Sequence, residues 1–174
     1  MERYSFPSLS TFKSELLSHI IGYDFRNTKE IFNNEYLPLF DFFDKIFFTN
    51  KRKAIEYVFL VFNDCYDDFL HMRHNSHDFY DINIMTAILR ALAFTKYYTL
   101  KDEYLLDYGI KIMEISLRSK NHEVINAVMD FIIEVELPST YIPQVVNLLD
   151  RYSPTNISYI DRYIKQIRDV LINR

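Results

Sequence analysis

The segment His71-Met-Arg-His74-Asn-Ser-His77-Asp78 gathers three imidazoles at intervals of three residues. On a helix such imidazoles can share one ion, with Asp67 or Asp78 completing the ligand set. The spacing is not that of a zinc site, and it runs off a helix end into a loop rich in Asn, Ser and Asp. A histidine near a helix C-terminus is favourable against the dipole without any ion. No metal site is therefore assigned. Cys65, the single cysteine, lies beside Tyr66 near an apolar stripe and is expected to be a buried structural thiol rather than a nucleophile. Asp67 and Asp68 are adjacent, so they point to different sides of a helix and are poorly placed for shared acid–base work. No H-E-x-x-H, G-x-S-x-G or P-loop pattern is present. Only Gly22 and Gly109 are available for positive φ or close backbone approach. Gly-dependent phosphate loops and dinucleotide fingerprints are excluded, and the expectation is a non-enzymatic protein without a cofactor.

Charge placement is more informative. The chain carries 24 acidic and 20 basic residues, a net charge of −4. Asp64, Asp67, Asp68, Asp78 and Asp81 crowd into residues 61–81 against Arg73. Asp64, Asp67, Asp68 and His71 share the side of their helix away from its Phe stripe. In a second segment Glu123, Asn126, Asp130 and Glu134 fall at i, i+3, i+7 and i+11, opposite an apolar stripe from Val124 to Val135. Each helix is expected to bury one face and show an anionic ridge on the other. Tyr80, beside Asp78, offers large contact area with few rotors. These residues are the candidate partner-binding set, and the partner they suit is a protein with a basic surface. The last 24 residues are basic, with Arg162, Lys165, Arg168 and Arg174, but Asp161 and Asp169 neutralise part of that charge. Nucleic-acid binding is not expected, and net negative charge opposes anionic lipid. The longest apolar run, near YVFLVF (57–62), is far short of the ~20 residues that span a bilayer. MERYSFPSLS lacks the pattern of a cleaved leader, and one cysteine fits a reducing compartment. A cytoplasmic protein is expected.

Helical periodicity positions these residues. Ser10 is expected to cap a helix to about residue 21. Residues 28–48 suggest one helix broken at Pro38, or two short ones. The spacing of Ile55, Val58, Phe59, Phe62, Tyr66 and Phe69 predicts a long helix over 51–72. Asp81 is expected to cap a helix to about 97. Asp102 and Glu103 open another to about 118, apolar on two sides and so sandwiched. Helices over about 122–136 and 141–151 follow, and Asn156 is expected to cap the last. The fold class is all-α, one domain over 1–174, with seven or eight helices. They form a compact bundle or a short HEAT-like stack of helical hairpins.

The stretch DINIMTAILRALAFTKYYTLKDEYLLDYGIKIMEISL, followed by NHEVINAVMDFIIEVE, resembles in texture the small all-α immunity proteins that protect bacteria from toxins delivered by neighbours, including contact-dependent inhibition systems. The resemblance covers about a third of the chain and implies a protein that binds a cognate toxin, such as a nuclease, and blocks it. A second texture, Ile, Asn, Asp and Tyr richness in a helical bundle, resembles the Bcl-2-like host-defence modulators of large DNA viruses. That resemblance implies an apolar groove for an amphipathic helix. The NWGR-like helix start of many Bcl-2 proteins is absent.

Overall fold

Ser8, rather than Ser10, caps the first helix. Its hydroxyl accepts from the Thr11 amide at 3.4 Å, and α1 runs Leu9–Ser18. A computed structural model describes residues 5–26, 37–73, 78–98 and 100–174. The first part of the helix expected from residue 28 thus lies outside the described residues. Pro38 breaks nothing, because it occupies the first turn of α2 (Leu37–Leu70), where its missing amide donor has no partner to lose. The break falls at Asn50, whose φ of −159° and ψ of 91° leave the helical region. Thr49 Oγ1 donates to the Lys45 carbonyl at 2.7 Å, and Asn50 Oδ1 accepts from the Lys53 amide at 3.1 Å. Asn50 thus caps the second half of α2 much as an Asn caps a separate helix. The Phe12 ring of α1 packs against Phe42 before this kink and Tyr57 after it, bridging the two halves.

The remaining helices are α3 (Asp78–Phe94), α4 (Glu103–Arg118), α5 (His122–Glu134), α6 (Ile142–Tyr152) and α7 (Ser158–Ile172), with a 3-10 turn at Ser139–Tyr141. Among the described residues there is no strand. Asp102 caps α4 through the amides of Tyr104 and Leu105, and Asn121 caps α5 through those of Glu123 and Val124. Two expected caps are corrected. Asp81 is buried within α3 instead of preceding it. Asn156 makes no cap on α7; it turns the chain with φ of 67°, and Asp161 accepts from Thr155 N and Oγ1 at 2.7 and 2.8 Å.

The helices form an all-α bundle ordered as hairpins in two layers. Neighbours α2–α3, α4–α5 and α6–α7 pair; α2, α4 and α6 pack in one row, and α3, α5 and α7 in the other. α4 is covered on two sides as its stripes require, with Tyr108 on Phe59 of α2 at 5.3 Å and Met113, Ile115 and Leu117 buried. Gly109 is the point of closest approach. A Cβ there would lie 2.5 Å from Tyr98 Oη and 3.1 Å from Leu100 Cδ2. Tyr98 is buried and donates to the Leu105 carbonyl, so α4 needs a residue without a side chain opposite it.

Candidate functional site

The second half of α2 buries Ile55, Val58, Phe62 and Tyr66. Leu60, Asp64, Asp67 and His71, at i, i+4, i+7 and i+11, form its outer line. Leu60 and Asp64 are exposed, and Asp67 and Asp68 are half-exposed. At the end of the helix Arg73 Nη1 donates to Asp67 at 2.8 Å and to Asp68 at 3.0 Å. The Asp68 bond, then the Asp67 bond, hold the guanidinium above its ordinary pKa. His71 Nδ1 lies 3.3 Å from Asp67. Among the described residues Asp64 makes no ion pair. It borders a groove of about 410 Å³ between α1 and α2, lined also by Leu9, Ser10, Lys13, Leu60 and Val61. An apolar floor with exposed leucines therefore runs directly into the acidic row.

Cys65 lies beneath this row. Burial, then Asp81, pushes its thiol up to about 12, so it stays protonated and inert at neutral pH. Tyr80 is half-buried on the first turns of α3. Its phenol is raised by burial first, then by Cys65 and Asp81. Asp78 opens α3, and its side chain lies outside the described residues, as do His74 and His77. Among the described residues no three His, Cys, Asp or Glu side chains group to hold a metal ion.

The second ridge is not the free anionic face its spacing suggests. Glu123 is 17% exposed and faces Arg26 and His122, each at 3.6 Å. Asn126 lines a shallow polar hollow of about 340 Å³ with Tyr159, Arg162, Tyr163 and Gln166. Asp130 is the counter-ion of Arg90, whose Nη1 donates to it at 3.0 Å, and it also accepts the Tyr163 hydroxyl. The Arg90 side chain is only 1% exposed. Burial, then the Asp130 bond, raises the Tyr163 phenol above its ordinary range. Glu134 alone remains exposed. Packing of α5 against α7 and against residues 23–26 draws three of the four ridge residues inward.

Arg90 and Asn83 were not singled out by spacing, yet they anchor the segment after α1. Arg90 Nε donates to the Phe25 carbonyl at 2.9 Å. Asn83 accepts from the Phe25 amide and donates to the Tyr23 carbonyl, both at 2.7 Å. Arg26 lies over the Phe79 ring at 3.9 Å. A lone Arg inside the apolar run IMTAILRALAF was the available signal, since a buried arginine requires partners.

No protein-family model, curated protein or solved structure matches this chain. Among the described residues no helix is long and apolar enough to cross a membrane.

Proposed function

We propose that this chain is a protein-binding inhibitor of the immunity type, which holds a basic surface of a toxin domain against the second half of α2. The observation that carries this reading is the junction of the α1–α2 groove with the row Asp64, Asp67 and Asp68. Tight interfaces place an apolar anchor in a pocket and surround it with polar contacts. Here Leu9, Leu60 and Val61 supply the pocket wall and the three carboxylates the counter-charge. Arg73 offsets only part of that charge, so the row stays anionic. Carboxylates so placed steer a basic partner and fix its register, and occupy the positions that phosphates take on a nuclease. Glu134 adds a smaller, separate acidic contact, while Glu123 and Asp130 are already engaged within the fold.

The test is co-expression with each protein encoded beside the gene that arrests growth when expressed alone. Protection of growth, lost when Asp64, Asp67 and Asp68 are all changed to Lys, supports the reading. Protection that survives this reversal refutes the acidic row. The groove also favours a second reading, an amphipathic helix received between α1 and α2 as in Bcl-2-like modulators. Ser10→Trp fills the groove and keeps all three carboxylates of the row. Binding lost in that variant and kept in the triple reversal selects the helix-receiving reading.

A further inference from the structure

The hollow between α5 and α7 measures about 340 Å³ and is lined by Asn126, Tyr159, Arg162, Tyr163 and Gln166. Ligand sites measure about 300–1,000 Å³. The four α7 residues fall at i, i+3, i+4 and i+7, so one face of that helix makes the wall. Tyr163 is fixed from behind. Its hydroxyl donates to Asp130, which in turn accepts from Arg90, a side chain only 1% exposed. The rest of the lining is uncommitted. Among the described residues Asn126, Arg162 and Gln166 make no side-chain hydrogen bond, and Arg162 makes no ion pair. Arg26, Arg118, Arg151 and Arg168, by contrast, all lie against carboxylates. The Tyr159 ring is 51% exposed and stands T-shaped to His122.

These groups select a chemistry. A guanidinium is a planar fork that matches a carboxylate with two parallel bonds. A carboxamide carries donors and an acceptor together, so it can pair with both the N–H and the C=O of peptide groups. Asn126 on α5 and Gln166 on α7 bring two carboxamides to one hollow. An exposed tyrosine ring offers a flat apolar face with few rotors. A carboxylate next to a peptide group and a side chain is the chain end of a protein.

The surrounding charge limits the alternatives. Glu123 and Asp130 stand against Arg26 and Arg90, and along α7 Asp161 and Asp169 balance Lys165 and Arg168. Asp24 on Arg26 and Asp150 on Arg168 leave no positive excess around Arg162. A nucleic-acid strand or a phosphate dianion, which gathers several cations, is disfavoured. A single carboxylate needs one guanidinium.

We propose that the α5–α7 hollow binds the C-terminal end of a partner protein. The terminal carboxylate pairs with Arg162, the last peptide groups with Asn126 and Gln166, and an apolar side chain covers Tyr159. The site lies on other helices than the acidic row and does not depend on the function proposed above.

The experiment is affinity selection by the full chain from a synthetic pool of random hexapeptides with free C-termini, identified by mass spectrometry. The strongest binder is then made as the free acid and as the C-terminal amide, and Kd is measured by fluorescence anisotropy. The amide should bind at least about tenfold more weakly, and so should the free acid to Arg162→Gln, the scale of a hot-spot loss. Arg162 is exposed, so this variant keeps the fold, which circular dichroism checks. The amide comparison uses the unaltered chain. The Asn126→Ala/Gln166→Ala pair should also weaken the free acid, and the Asp64, Asp67, Asp68 triple reversal should leave it unchanged. Recovery of no peptide whose binding needs Arg162, or of winners that bind equally as amides, overturns the proposal. So does Arg162-dependent binding of inorganic phosphate or adenosine monophosphate that is tighter than that of any peptide.

Discussion

Replacing Asp130 with Ala should destabilise the fold, although the residue belongs by spacing to a surface ridge. The change removes the carboxylate that lies 3.0 Å from Arg90 Nη1 and accepts the Tyr163 hydroxyl. Arg90 cannot turn to water, because its side chain is 1% exposed and its Nε is committed to the Phe25 carbonyl. Its Nη2 already lacks a hydrogen-bond partner among the described residues, so the loss of Asp130 leaves one further guanidinium nitrogen unsatisfied. Deleting one member of a buried pair costs about 3–5 kcal/mol. Asp130 is itself 30% exposed, so water reaches the site and the lower end applies. The parts agree: a charge-assisted bond is worth about 1.5–3 kcal/mol and the Tyr163 bond about 1 kcal/mol. A loss of about 3 kcal/mol lowers the melting temperature of a domain this size by roughly 6–12 °C. Thermal and urea unfolding followed by circular dichroism measure it. Glu134→Ala, on the same helix but exposed, is the control and should change stability by less than about 0.5 kcal/mol. If Asp130→Ala melts within about 2 °C of wild type, a shift the size of that control, the buried-pair argument is wrong.

Gly109→Ala should destabilise despite the roughly 1 kcal/mol gain in helix propensity. The new Cβ would meet Tyr98 Oη at 2.5 Å, and relieving that overlap costs about 1–3 kcal/mol; Tyr98→Phe in the same chain should recover part of the loss, and an unchanged melting temperature in Gly109→Ala would contradict the contact. Stability should also fall in alkali. Burial raises Cys65 and Tyr98, and the Glu56 bond followed by burial raises Tyr104. The unfolded chain releases these protons near pH 9–10 while the folded chain keeps them. Their contribution is therefore complete below about pH 8.5 and declines as pH rises towards the folded values; urea midpoints that stay level from pH 8 to pH 11 would refute it.

The sequence by itself determined the helices and their inner faces. Ile55, Val58, Phe62 and Tyr66 repeat with the helical period, and so do Val124, Val128, Phe131 and Ile132; all of them are buried. Periodicity is a local signal, and burial of one face follows from the hydrophobic effect whatever covers it. The exposed row Asp64, Asp67 and Asp68 was legible for the same reason. The caps were less legible: Ser8, Asp102 and Asn121 cap their helices, while the expected caps Ser10, Asp81 and Asn156 do not, because cap-forming side chains stand at several positions near each helix start.

Tertiary structure decided what lies over each outer face. Glu123, Asp130 and Glu134 share one spacing, yet Asp130 neutralises Arg90 forty residues away and Glu123 faces Arg26. No periodicity encodes which helix crosses α5, so an anionic ridge and a buried counter-ion look alike along the chain. The interruption at Asn50 was legible, since the expected helices end at 48 and resume at 51, and Asn50 caps the second half locally. Tertiary structure decided how the two halves are held, with Phe12 packed across both. Asp44 of α2 accepts from Thr95 and Lys96 at the end of α3, a tie between residues some fifty positions apart that no local pattern encodes. Long-range packing likewise decided that Phe48 stays in water while Phe43 and Phe47 of the same aromatic run are buried.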